Sequence, residues 1–447
     1  MIEVTKDSIN RLAEILKNAE DEGFLYSSPS GADSVYIKDE DSAYDLREQA
    51  KKEQNYKLAK EYNRILAYYE LVNERTVYRH FPMVLQLEHT SICNAECIMC
   101  LHYYKKNQGA LNLSDEIFSK LLPIFPYVEE IVLHGNGEPF LLPNIDEILG
   151  IYKTYGIKVS TNTNMSYLPD GVLKNSDIFN SLTVSFDSPR KDIYEKIRRN
   201  LDFDKVTENI DKFRAKCPDT HMTLAVVSMR QNIYDMKALV EYAVKHGFNR
   251  IMFSRLGING YINNYYDDVM CYPATLKRNM KEAIAYAKEN SIEIVYPDVF
   301  LEIEGGDEAE EAKKIASYPV TITEEELLQL REKVSKTSKR GELYYDRVNL
   351  IESRYNCSGI CDLIWNNMMI TAKGQIVVCC IDVLHHIDML DKDFMQIWNG
   401  EQYIKLREMF LKKRKLPEFC RNCLFILNGG LKHLSVDIGD GFYINKK

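Results

Sequence analysis

The sequence predicts an α/β fold: an open, partial (βα)6 barrel between an N-terminal helical segment and a small C-terminal domain. Three observations predict it. Six short β-like runs alternate with helical ones through the middle of the chain, the preceding segment holds two stretches of helical spacing, and the cysteines gather in two separated groups.

Residues 1–80 are expected to be helical. Ile9, Leu12, Ile15 and Leu16 form one apolar stripe, and Leu46, Ala50, Leu58, Tyr62, Ile65, Leu66 and Tyr69 recur at helical spacing, with the turn-rich GFLYSSPSGADS between them. Residues 81–300 carry the runs MVLQLEH (83–89), EIVLHG (130–135), IKVSTN (157–162), LTVSFD (182–187), MTLAVVS (222–228) and RIMFS (250–254). Helix-like stretches separate them, which argues for βα units on a parallel sheet. Six units are too few to close an eight-stranded barrel, so an open one is expected. Residues 301–350 are an acidic and helical bridge, with a capping box at Thr323, Glu324, Glu325 and Glu326. Residues 351–447 hold the second cysteine group.

At 447 residues the chain exceeds one compact core, and two or three domains are expected. A composition that is 45% hydrophobic and 28% charged is that of a globular protein. The net charge of −9 supplies no basic surface for nucleic acid or an anionic membrane. Met1 to Asn10 lacks the apolar core of a signal peptide, and no run is long enough to span a bilayer, so a cytoplasmic location is expected.

In a cytosolic setting eleven cysteines point to metal binding or chemistry rather than disulfides. Cys217 and Cys271 stand alone and read as small buried hydrophobes. CNAECIMC places Cys93, Cys97 and Cys100 on one short loop directly after the first strand, where parallel α/β folds collect their chemistry. Three soft thiolates suit iron–sulfur ligation, and three ligands to a four-iron cluster leave one iron open. A structural zinc site on the same cysteines plus His102 is the other reading of these residues.

The Cys-x3-Cys-x2-Cys loop after the first strand of a βα array resembles that of the radical S-adenosylmethionine (SAM) superfamily. Further motifs match in order. Gly135, Asn136, Gly137 and Glu138, before Pro139, resemble the family's Gly-Gly-Glu motif, whose backbone meets the SAM amino group. Asn162 ends the third strand, where polar residues approach the ribose. Ser185 and Asp187 resemble the Ser-x-Asp of the fourth strand, with Ser185 placed near the SAM carboxylate. Arg198 matches an Arg that can pair with that carboxylate; a surface helix charge is its other reading. Met99 stands where the family has an aromatic residue against adenine, and fills that space as an adaptable apolar side chain. The resemblance covers roughly residues 82–256 and implies a TIM-like partial barrel, a SAM-binding [4Fe–4S] cluster, and an electron donor such as flavodoxin or ferredoxin.

In the C-terminal region Cys361, Gly374 and Cys379 are followed by Cys420 and Cys423. TAKGQIVVCC reads as two short strands about a glycine turn. Four thiolates in two separated groups make a closed site, and C…C…CxxC is zinc spacing as well. The pattern resembles the shortened SPASM (twitch) extension, which implies one auxiliary [4Fe–4S] cluster on Cys361, Cys379, Cys420 and Cys423. Cys357 and Cys380 are left over, and either could replace a neighbour. Asp382 is a candidate base beside that site or a solvated loop carboxylate, and His385 and His386 read as solvated. No catalytic residue is named.

The expected function is that of a radical SAM enzyme which forms a 5′-deoxyadenosyl radical and abstracts hydrogen from its substrate. Oxidation or epimerisation of a carbohydrate-like or other small molecule is the expected outcome. A peptide-modifying maturase is the alternative. An iron–sulfur electron carrier and a zinc-binding module are readings of other classes. The Gly135–Pro139 and Ser185–Asp187 motifs speak against an electron carrier, which has no use for them.

Overall fold

Seven strands cross one sheet in the order in which they occur along the chain. They are β1 (Val84–Leu87), β2 (Glu130–Val132), β3 (Lys158–Thr163), β4 (Phe179–Ser185), β5 (His221–Ser228), β6 (Arg250–Arg255) and β7 (Glu293–Val295). Every adjacent pair is parallel. The computed structural model describes residues 24–26, 35–104, 109–257, 265–317, 363–378 and 386–411. Three more strands, β8 (Asn367–Ile370), β9 (Gln375–Val377) and β10 (His386–Met389), continue the sheet beyond β1. Its order is 7-6-5-4-3-2-1-8-9-10, with β7 and β10 at opposite edges, so the barrel is open. β8 lies parallel to β1, whereas β9 and β10 run antiparallel to their neighbours.

Parallel neighbours need crossovers, and helices supply them: Ile145–Thr154 between β2 and β3, Phe203–Lys216 between β4 and β5, Met236–Lys245 between β5 and β6, and Pro273–Glu289 between β6 and β7. The strand pattern follows from period two. Leu85, Leu87, Ile131, Val159, Leu182, Val184 and Leu224 are wholly enclosed in the main core. Of the residues alternating with them, Gln86, Ser160, Ser181, Thr183 and Ser185 are polar and partly exposed, while Val84, Val132 and Ala225 are apolar. One side of the sheet is therefore packed, and the other is a more polar and more accessible lining.

All six expected strands are present. The seventh, β7, adds to them; its three residues in SIEIVYPD are too short a run to show an alternation, and Pro297 follows closely. The glycine turn in TAKGQIVVCC is present, with Gly374 at φ +76°, a conformation other residues adopt at a cost. β8, however, ends before TAKG and joins the barrel sheet itself.

In the N-terminal segment the stripe Ile9, Leu12, Ile15 and Leu16 lies outside the described residues. The described part holds helices Glu40–Lys52 and Tyr56–Val72, N-capped by Asp39 and Asn55. A short antiparallel ladder departs from the helical expectation: Phe24–Tyr26 lies within the stretch read as a turn-rich connector, and its partner Val35–Ile37 directly follows that stretch. The second helix is riveted to the barrel. Lys60 Nζ donates to the Tyr155 and Gly156 carbonyls (2.8 and 2.7 Å), and Arg64 meets Glu129 through two nitrogens. From the other end, buried Arg407 lies over the rings of Tyr78 and Trp398, and its Nη1 donates to the Thr76 carbonyl. The C-terminal helix Glu401–Leu411 thus grips the linker that leads into β1. The capping box at Thr323–Glu326 lies outside the described residues, and among those residues no helix is long and apolar enough to cross a membrane.

Candidate functional site

The cysteine loop leaves the C-terminal end of β1 and is held on three sides. Its Glu96–Cys97 step pairs antiparallel with Arg198–Arg199, and Ile98 N–H donates to the Ile197 carbonyl (3.0 Å). Asn94 is bound from the loops after β3 and after the Lys191–Ile197 helix. Asn164 Nδ2 donates to its Oδ1 (3.0 Å), its own Nδ2 donates to Ser166 Oγ (2.9 Å), and Asn200 Nδ2 donates to its carbonyl (2.7 Å). The third side is the Gly135–Glu138 turn after β2. Glu138 N–H donates to the Ile92 carbonyl (2.9 Å), and a Cβ on Gly137 would lie 2.8 Å from that oxygen and closer still to the Thr90 carbonyl. Only glycine lets the turn approach the cysteine loop so closely.

Cys97 is buried, while Cys93 and Cys100 are partly exposed; all three are free thiols. Burial pushes the Cys93 thiol up to about 11 and the Cys97 thiol upward as well, the latter opposed by Arg198. Arg198 Nη1 lies 3.8 Å from Cys97 Sγ. Metal ligation requires thiolates, so a bound cationic cluster would have to draw off these protons. Among the described residues, no three Cys, His, Asp or Glu side chains converge on a single ion. A zinc ion would draw Cys93, Cys97, Cys100 and His102 to one point, whereas an iron–sulfur cluster offers each thiolate its own iron. Three thiols spread along one loop, with a glycine turn packed against its base, fit the cluster.

Arg198 is not a surface charge: it is 7% exposed, and its Nε lies 2.7 Å from Asp187 Oδ2. That contact is an ion pair without hydrogen-bond alignment. Burial opposes the guanidinium charge, but Asp187 and Cys97 more than offset this and hold its pKa above the ordinary value. Asp187 is fully enclosed, its Oδ1 accepts from Val227 N–H (2.8 Å), and its carbonyl accepts from Asn232. It sits behind Arg198 and anchors it beside Cys97, rather than facing the open side of the loop.

Glu138 also turns inward. Its oxygens accept from Asn164 N–H and Thr163 Oγ1 (both 2.6 Å) and from Phe140 N–H (3.2 Å), and burial raises its carboxyl to about 7 despite these donors. Asn162 is exposed on the lining side of β3, and its N–H donates to His134 Nδ1 (3.1 Å). Ser185 ends β4, partly exposed on the same side. Met99 packs beside the small apolar group of Ile98, Ile197, Met229 and Leu256. The cluster loop, Gly135–Glu138, Asn162, Ser185 and Arg198 therefore all lie at the C-terminal ends of β1 to β4. Cys357, Cys361, Cys379, Cys380, Cys420, Cys423, Asp382 and His385 lie outside the described residues. His386 opens β10.

Three residues of the site were not singled out in the sequence: Glu88, Asn94 and Asn164. For Glu88 a signal existed. It is a charged residue in phase with Gln86 at the end of an alternating strand, on the lining side. For Asn94 and Asn164 there was none, because the bond between them joins loops 70 residues apart.

A model of the radical SAM superfamily matches residues 87–243, and the SPASM iron–sulfur cluster-binding domain matches residues 361–424. Among solved structures, SuiB of Streptococcus suis shares 14% identity over 92% of this chain and 92% of its own, with a TM-score of 0.51. SuiB bound to its precursor peptide SuiA shares 15% identity over 84% of this chain and 75% of its own (TM-score 0.50). SuiB bound to S-adenosylmethionine gives 15%, 84%, 74% and 0.50 for the same quantities. At such identities the likeness is one of fold. No curated protein matches the chain.

Proposed function

We propose, from the premise that the chain is a radical SAM enzyme with a C-terminal SPASM domain, that its substrate is a peptide or a segment of a protein. The observation that carries this reading is the fold shared with SuiB, which has been solved with its precursor peptide. It favours the peptide alternative over the small carbohydrate-like substrate expected from the short cysteine pattern. The lining side of the sheet, with Gln86, Ser160, Asn162, Ser181 and Ser185, offers hydrogen-bonding groups that suit a peptide backbone.

Cys93, Cys97 and Cys100 would hold the SAM-binding [4Fe–4S] cluster, with Arg198 offsetting the charge of Cys97. When bound there, the cluster and SAM supply a 5′-deoxyadenosyl radical that removes a hydrogen atom from the substrate. The chain's own part is to hold the loop rigid through Asn94 and Gly137, and to present Ser185 and Asn162 toward SAM. Cys361, Cys379, Cys420 and Cys423 would hold one auxiliary cluster, and residues 1–80, 81–300, 301–350 and 351–447 would be the functional units.

The test is anaerobic reconstitution with iron and sulfide, followed by dithionite, SAM and short peptides encoded beside the gene. The expected result is 5′-deoxyadenosine together with a mass change in one peptide. Both should vanish in Cys97→Ala. Turnover of free sugars or cyclitols with every peptide inert would overturn the peptide reading and leave the radical chemistry standing.

A further inference from the structure

Glu88 is buried at the C-terminal end of β1, five positions before Cys93, and three parts of the chain meet on it. Its Oε1 accepts from Asn136 N–H (2.6 Å), inside the turn that resembles the Gly-Gly-Glu motif. Its Oε2 accepts from Ala372 N–H (2.9 Å), just past β8 in the C-terminal cysteine-bearing region. Its own N–H donates to the Ile370 carbonyl (2.9 Å). Its side chain also fills the space in front of Gly135, where an added Cβ would lie 2.6 Å from Glu88 Cβ.

We propose that Glu88 is a positioning residue that couples the SAM-binding turn to the seating of the C-terminal domain. The carboxyl has two oxygens, and each takes one backbone N–H from a different segment. The two segments have no other shared buried side chain whose oxygens meet an N–H of each, among the described hydrogen bonds. A displacement of Ala372 therefore draws on the same carboxyl that fixes Asn136, and Asn136 lies one residue from Gly137, against which the cysteine loop packs. Cys379, an expected auxiliary ligand, follows β9 by two residues. A change in how that segment sits would thus be transmitted to SAM affinity through one side chain. The inference holds whichever substrate the enzyme takes.

Glu88→Gln tests it, because an amide has one acceptor oxygen and must point its NH2 at the other N–H. Leaving a buried donor unpaired is worth roughly a tenfold change in an equilibrium. Cluster-loaded Glu88→Gln is therefore expected to bind SAM about tenfold more weakly. In the apoprotein, amide exchange should quicken at segments 135–137 and 371–373 and stay unchanged in the helices. Ala372→Pro removes the C-terminal donor and sets a ring carbon where its hydrogen pointed, so it disturbs the Glu88 carboxyl from the C-terminal side while every residue of the SAM-binding turn is unchanged. It should also weaken SAM binding, and the double variant should be no weaker than Glu88→Gln. SAM affinity within twofold of wild type in Ala372→Pro, or full additivity of the two changes, would overturn the coupling. If Glu88→Gln does not fold, Ala372→Pro alone decides.

Discussion

On the helix-facing side of the sheet Leu85, Ile131, Val159, Leu182 and Leu224 are fully enclosed among apolar neighbours, whereas the loops at the strands' C-terminal ends are fastened by buried polar groups. The first region is held by the removal of apolar surface from water, which is non-directional and tolerates approximate shapes. The second is held by directed bonds: Glu138 to Asn164 and Thr163, Asn164 to Asn94, Asp187 to Val227. Such bonds add little net stability each but fix positions sharply. The difference teaches that this chain divides stability and site geometry between the two ends of the same strands, so substitutions in one region should change what substitutions in the other leave alone.

The largest expected effect falls on the helix-facing layer. Leu182→Ala removes a wholly buried side chain in the middle of β4 and should lower the unfolding free energy by about 2–5 kcal/mol. Denaturant unfolding of the apoprotein measures this. The comparison predicts that the surviving folded fraction still binds iron and SAM normally; lost cluster loading in folded Leu182→Ala would show that the two regions are not separate.

A change in pH acts on the other region. Burial raises the Glu138 carboxyl from 4.5 to about 7 in the folded protein. Its stabilising contribution is fully present below pH 4.5, where both states are protonated, and is lost as pH rises through 7. In the apoprotein, wild type should therefore lose stability relative to Glu138→Gln between those limits, by on the order of 3 kcal/mol at most. Parallel stability curves for the two proteins would mean that the donors from Asn164 and Thr163 fully compensate the burial.

How much of this was legible in the sequence follows the same division. Period-two alternation exposed β1 to β6 because each strand shows one face to an apolar layer. β7 was too short to carry that signal. The insertion of β8 beside β1 depends on pairing residues such as Asn367 and Val84, almost three hundred positions apart, which no local pattern records. At the site, the spacing of Cys93, Cys97 and Cys100 was visible because one loop carries it. That Arg198 is buried against Asp187, and that Glu88 joins two distant backbones, depends on tertiary approach alone. The auxiliary cysteines Cys361, Cys379, Cys420 and Cys423 were visible as spacing and lie outside the described residues.

Gly137→Ala sharpens the comparison with the smallest expected effect on stability. The new methyl group would press on the Thr90 and Ile92 carbonyls, which are backbone and cannot swing away as a side chain would. Overpacking of this kind costs about 1–3 kcal/mol, so the apoprotein should remain folded with a modestly lowered Tm. The disproportion is the point. A methyl group that shifts the cysteine loop by a fraction of an ångström should abolish or severely reduce cluster incorporation, read as iron content and visible absorbance after reconstitution. A cavity in the helix-facing layer that costs more stability should not. If Gly137→Ala instead loads its cluster as wild type does, the close approach of the two loops serves packing alone, and the polar end of the strands holds no finer geometry than the apolar side.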